Sequence, residues 1–351
     1  MTTLGIIWFI LIFVLIAGYF ILDGFDLGAG VLSPFICKND EERAIVRQSI
    51  GPVWDGNEVW LLTAGGALFA AFAPAYATTF SGFYMAIFLV LMGLIVRAIA
   101  LEFAAHDKDW SRVYNVCFFI GSLLPALLLG VAVGNVYAGI PMDTNGDYVG
   151  VALLGLVTPF TLLTGLLGLT MFLAQGATWV SLKAPKPSDV QARAARLRMP
   201  LQIAVLVMFG VVSVYAHFAF GAENMAPELG IVRYVCAGAV IGLVVASMIM
   251  GKKDNDMVPF ILQSASAAAL VALWASSMFP NLVIAGAGDP LSLFATAASG
   301  ANITIANAAS TDLALAWMLG ITAVGLPLVL IYHFIIYRTF RGRVQIEDLE
   351  Y

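Results

Sequence analysis

Apolar residues in this chain gather into runs of about twenty, divided by short polar stretches that hold most of the charge. A helix of about twenty residues crosses ~30 Å of hydrocarbon, so each run predicts a membrane span. Eight runs are plain, near 5–22, 78–101, 114–137, 152–179, 200–221, 230–250, 258–279 and 313–337. A ninth, near 54–73, is ambiguous on hydropathy because Asp55, Asn57 and Glu58 occupy its first turn. The pattern predicts an all-α polytopic membrane protein, one integral-membrane domain over residues 1–351.

Charge decides the ninth run. With nine spans and the N-terminus outside, sixteen of the seventeen Lys and Arg residues, Lys108 among them, fall on the inner side, and only Arg233 falls outside. The best eight-span arrangement starts inside and puts Lys38, Arg43 and Arg47 outside. Lys and Arg concentrate in cytoplasmic loops, which favours nine spans and a cytoplasmic C-terminus. Composition agrees with a membrane protein: 61% of residues are hydrophobic and 11% charged, against about 25% charged in a soluble domain. The N-terminus lacks a basic leader and a small-residue cleavage site, so the first run is read as a retained span. No basic tract with interleaved aromatics points to nucleic acid, and the three cysteines show no metal-ligand spacing.

The connectors add detail. Asn39 followed by Asp40, Glu41 and Glu42 predicts a short capped surface helix over about 40–50, stopped by Gly51-Pro52. Residues 182–199 read as an inner loop, and the tail after Tyr337 as charged and cytoplasmic. The long segment 280–312 reads as an outer loop that folds over the ends of the spans.

The densest polar group lies in the first third. Asp23 and Asp26 end the first run, Asp55 and Glu58 open the second, and Arg97 and Glu102 close the third, all on the inner side. Arg97 lies roughly 28 Å below a span start near Thr78, which brings it level with Asp55. Asp55 and Glu58 are three apart and share a helix face. This predicts a site where acids pair with one arginine. Charges at span ends also serve as plain interfacial anchors, which suits Asp26, Glu58 and Glu102. Asp23 and Asp55 abut apolar runs, and intramembrane acids line water-filled paths or pair with bases. A proton path from the cytoplasm follows, with Asp55 accepting the proton and Asp23 and Arg97 tuning it. Trp54 and Trp60 flank the acidic turn and read equally as interface residues. His106, His217 and His333 lie at depths that do not match, so this chain alone is not expected to ligate a haem iron or another metal.

The stretch from Gly18 to Gly30, which reads GYFILDGFDLGAG, and the stretch from Ser49 to Phe72, which contains WDGNEVW, closely resemble subunit II of the cytochrome bd quinol oxidases. Phe80 to Tyr84 and Arg97-Ala98 continue the match, and Gln175 to Thr178, Met278 to Asn281 and Asn307 to Thr311 follow it more loosely. The resemblance implies nine helices, arranged as two four-helix bundles plus one, in a bacterial inner membrane. It implies a heterodimer with a subunit I that carries two b-type haems and one d-type haem, oxidises quinol and reduces dioxygen to water with cytoplasmic protons. By motif, Asp55 matches the acid of WDGN that is associated with a proton path at the subunit interface. Asp23 and Asp26 match the acids of DGFD, and Trp54, Asn57 and Trp60 match motif positions that suit helix packing as well as chemistry. Some family members carry Gln where this chain has Glu58. The resemblance leaves open a structural quinone in this subunit and a small accessory single-span subunit. Read from the residues alone, a proton-coupled secondary transporter is the competing function, although no repeated halves are visible. A purely structural subunit is the third reading.

Overall fold

The computed structural model describes residues 1–107, 109–221, 225–253, 255–345 and 347. Lys108 therefore lies outside the described residues. The described chain is almost wholly helical. Eight helices are long and apolar enough to cross a membrane.

Helix α1 (Thr3–Ile36) is the axis of the fold and packs on α3, α6, α7 and α10. It runs fourteen residues past the expected end at 22, because Asp23 and Asp26 do not meet water there. Both are fully buried. Their partners inside the bundle remove the reason to stop the helix. The glycines that follow bring α7 (Pro159–Lys183) into backbone contact: a Cβ on Gly28 would lie 1.8 Å from the Phe172 carbonyl oxygen. Such small residues let membrane helices approach closely.

The surface helix α2 (Asp40–Ile50) forms over the predicted span, with Asn39 Oδ1 accepting from Glu42 N at 2.8 Å. Helix α3 (Trp54–Ala71) then runs antiparallel to α1. Asn57 meets Asp26, Trp60 lies against Gly18, and Ala71 shares a core with Trp8 and Phe9. Its 18 residues extend ~27 Å at 1.5 Å per residue. The third run is split. Helix α4 (Ala73–Gly82) sits at the outer end, and α5 (Tyr84–Phe103) starts after a break at Phe83. Arg97 is thus ~20 Å along α5, not 28 Å below Thr78. Helix α6 (Ser111–Ala138) completes the first half.

Helix α7 starts at Pro159 and not near 152, because Thr158 and Thr161 form a capping box and Pro159 occupies the first helical position. The expected inner loop 182–199 is mostly helix, with only 184–188 between α7 and α8. Helix α8 (Asp189–Phe220) begins at the Ser188 cap, and its Ala, Arg, Gln and Leu residues carry it through to the apolar run. Helices α9 (Gly230–Met250) and α10 (Met257–Met278) pack on each other, and α10 returns to α1. The last long helix, α12 (Asp312–Thr339), follows strands β1 (Asn281–Val283) and β2 (Ile303–Thr304) and the single turn α11 (Ile305–Ala308). It lies parallel to α1. At the outer end Trp8 Nε1 donates to Leu315 O at 3.1 Å, and at the inner end Tyr337 bonds Asn57.

The segment 280–312 packs over one end of the helices. β1 and β2 pair antiparallel, and Val283, Ile303 and Ile305 join Trp8, Phe9 and Met142 in one core. Asp289 fastens this segment to the bundle. Its carboxylate accepts from Phe160 N (2.8 Å), Leu291 N (2.9 Å) and the Tyr215 hydroxyl (2.9 Å). Burial works against its charge, but these donors hold its carboxyl below the usual carboxylate range. A depressed folded pKa stabilises fully above the unfolded value of ~3.9 and is lost as pH falls through the folded value. Replacing Asp289 with Ala is expected to cost about 1.5–3 kcal/mol, the scale of hydrogen bonds to a charged group. Thermal unfolding of the purified complex against pH checks this: the variant melts lower at pH 7 and loses less on acidification. An unchanged acid limb would contradict the assignment.

Candidate functional site

Helices α1, α3 and α5 each deliver one charged side chain to a common depth. Arg97 of α5 is fully buried, and its Nη2 reaches Asp23 Oδ1 and Glu58 Oε1, each at 2.7 Å. Helix α6 makes room for this, since a Cβ on Gly121 would lie 2.7 Å from the Arg97 backbone nitrogen. Asp23 is wholly enclosed, whereas the Glu58 side chain keeps 26% exposure. Tyr19, one turn before Asp23, is also wholly buried.

A second layer sits on the inner side of this pair. Asp26 Oδ2 accepts from Asn57 Nδ2 at 2.7 Å, and that nitrogen also donates to Leu22 O at 3.1 Å. The Asn57 oxygen accepts from the Tyr337 hydroxyl at 2.9 Å. Towards the outer side, Trp60 Nε1 donates to His333 Nε2 at 3.2 Å, while His333 Nδ1 is bound to Val329 O at 2.9 Å. Both ring nitrogens of His333 are therefore taken, and the residue does not fit an axial ligand of a haem iron. His217 is exposed near the outer end of α8, and His106 is on the inner surface, so the histidines do not converge. Among the described residues no cluster of His, Cys, Asp and Glu has the arrangement of a metal site.

The structure regroups the acids expected around Arg97. Asp23 and Glu58 take the direct contacts, and Asp26 is bound to Asn57 instead. Glu58, read equally as an interfacial anchor, is a partner of the arginine. Asp55 is not. It lies on the outward face of α3, exposed, with no hydrogen bond or ion pair among the described residues. With Val59, Leu62, Gly66 and Phe69 it forms one stripe at helical spacing, and Leu62 is 79% exposed. Trp54 is half-buried at the start of α3, while Trp60 is buried. Two carboxyl groups thus share one guanidinium inside the bundle, a third, Asp26, is buried beside them on Asn57, and a fourth, Asp55, faces outwards one turn below.

Residues that the sequence did not place beside Arg97 complete the site. Gln175 of α7 is fully buried, and a Cβ on Gly24 would meet its Oε1 at 2.5 Å. Tyr337 and His333 of α12 face α3. The only sequence signals were the Gln175-Gly-Ala-Thr motif and the polar residues in the last run.

The description cytochrome bd terminal oxidase subunit II belongs to a family model that matches residues 4–340. The chain is a member of that family. Cytochrome bd-I ubiquinol oxidase subunit 2 of Escherichia coli (strain K12) is 32% identical over 99% of this chain and 97% of its own length. Cytochrome bd ubiquinol oxidase subunit 2 of Bacillus subtilis (strain 168) is 31% identical over 98% of each. A chain in the structure of bd oxidase from Geobacillus thermodenitrificans has the same fold, with a TM-score of 0.77 at 17% identity, covering 97% of this chain and 99% of that one. Membership of the cytochrome bd family and eight apolar helices fit a multi-pass protein of the respiratory membrane.

Proposed function

We propose that this chain is the second subunit of a quinol:dioxygen oxidoreductase, that it pairs with a haem-bearing subunit I, and that it carries cytoplasmic protons towards the oxygen-reducing site. The haems belong to the partner in this reading. Family membership supports the pairing. The outward stripe on α3 supports it physically. A charged group facing hydrocarbon costs about 2.5–3.5 kcal/mol at the bilayer centre and less towards a span end, and a protein partner over Asp55 removes whatever part of that cost its depth imposes.

In the same reading α3 is a ninth crossing, the N-terminus is outside and the C-terminus cytoplasmic. The parallel course of α1 and α12 supports this, because first and last crossings run parallel only when the number of crossings is odd. The eight apolar helices need one more between them, and α3 lies antiparallel along α1.

The observation that carries the proton role is the group of Asp23, Asp26 and Glu58 around Arg97, with Asp55 on the adjoining outer face. Carboxyl groups in excess of cations at membrane depth mark proton relays. Asp55 is the proposed acceptor on the partner side. Replacing it with Asn in the co-expressed complex is expected to lower oxygen consumption at least tenfold, with haem content intact, against the roughly 10²–10⁴-fold that positioned acid–base groups supply. Full turnover in that variant would remove Asp55 from the path. A purely structural subunit would show the same full turnover in every acid variant that assembles. The transporter reading is not favoured by the family match.

A further inference from the structure

Under the C-terminal tail lies a cavity of about 360 Å³, walled by Gln48 and Ser49 of α2, Trp179 and Lys183 of α7, and Tyr337 of α12. The tail is a fixed wall. Lys183 Nζ donates to the carbonyls of Phe340 and Gly342, and Val344 N donates to Lys183 O at 2.8 Å. Arg343 donates to Ser181 O (2.9 Å) and Ala184 O (2.7 Å) and pairs with Asp256 at 2.9 Å. Asp256 is in turn held by Arg198 at 2.8 Å. The volume is far above the ~10–15 Å³ that accommodates one water, and the lining is polar enough to hold several.

Tyr337 is where this cavity meets the charge cluster. Its hydroxyl donates to Asn57, and Asn57 donates to Asp26. Beyond Asn57, Asp26 Oδ1, Arg97 Nε and Nη1, and both amide atoms of Gln175 are buried without a protein partner. Buried polar atoms in that condition are satisfied by ordered water. An amide does not relay a proton as a carboxyl or hydroxyl does. Asn57, fully buried and held by three hydrogen bonds, therefore stands between the cavity and these atoms and has to move aside for water to pass. Asp55 faces the other way, on the outer stripe of α3, and does not border the cavity.

We propose that the cavity under the tail is a water vestibule that supplies the Arg97 cluster from the cytoplasm, with Tyr337 and Asn57 as its gate, separately from the Asp55 face. The inference rests on the proton-carrying reading above, and one experiment separates the two. In the complete oxidase complex, Gln48→Cys places a thiol in the cavity wall, and Glu41→Cys places one on the same helix away from it. Both, and the unsubstituted complex, are treated with a bulky methanethiosulfonate reagent. Oxygen consumption, its solvent deuterium isotope effect and the haem spectrum are measured. Labelled Gln48→Cys is expected to lose turnover several-fold and to show a larger isotope effect with an unchanged haem spectrum, while the two controls keep their rates. Tyr337→Phe, which keeps the ring and drops the gate hydroxyl, is expected to change the isotope effect as well. Full turnover and an unchanged isotope effect in labelled Gln48→Cys overturn the vestibule. If Asp55→Asn is then slow, the proton-carrying reading stands without it. If Asp55→Asn is also at full rate, both fall.

Discussion

Replacing Arg97 with Leu is expected to prevent assembly of the complex, not merely to slow it. The guanidinium is fully enclosed and answers Asp23 and Glu58 at 2.7 Å each. Removing one member of a buried ion pair costs about 3–5 kcal/mol, because the remaining charge is left without a partner. Here two carboxylates lose their partner together. A native protein holds only about 5–15 kcal/mol in total. The measurement is the yield of haem-containing complex from membranes, with thermal unfolding of whatever is recovered. Arg97→Lys keeps the charge but replaces the broad guanidinium, whose Nη2 serves both acceptors, with a compact ammonium, so it is expected to fall between. Normal yield and normal melting of Arg97→Leu would mean that the cluster does not hold α1, α3 and α5 together.

The second large effect is steric. Gly28 and Gly176 lie where α1 and α7 cross. A Cβ on Gly28 would stand 1.8 Å from the Phe172 carbonyl oxygen, and one on Gly176 would stand 2.3 Å from the Gly28 carbonyl carbon. Both obstacles are backbone and cannot swing away. Gly28→Val is therefore expected to force α1 off α7 and to cost at least the ~1–3 kcal/mol of ordinary overpacking. Gly210→Ala on α8, where no atom lies within 4 Å, is the matched control. It is expected to be neutral or to gain up to about 1 kcal/mol of helix propensity. Equal melting of Gly28→Val and the parent complex would contradict the close crossing.

Much of the architecture was readable because lipid imposes a simple rule on helix length. The surface helix α2 was readable from Asn39 and the acids behind it. The errors share a cause: hydropathy sees the side chain and not its partner. It ended the first span at Asp23, although Arg97 and Asn57 allow α1 to continue to Ile36. It began the fifth span near 152, where the apolar residues 151–157 are a loop ended by the Thr158 cap. For the site, the sequence puts Asp23, Asp26, Asp55, Glu58, Arg97 and Glu102 at one depth, and the structure brings Asp23 and Glu58 onto Arg97. Helix spacing could not say which of Asp55 and Glu58 turns inwards, because residues three apart differ by only about 60° around a helix. That small rotation puts Glu58 on the arginine and Asp55 on the outside. Tyr337, His333 and Gln175 were hidden for another reason. They come from α7 and α12, far along the sequence, and nothing local marks their contact with α1 and α3.

Asp289 has a consequence for how the chain is made. The amide it accepts from, on Phe160, precedes it by 129 residues. At ~5–20 residues per second of synthesis, that amide waits roughly 6–26 s for its acceptor to be translated. Helices α6 and α7 must therefore sit in the bilayer with a provisional outer end while the rest of the subunit is still on the ribosome. The outer lid closes over them only when α12 is about to follow.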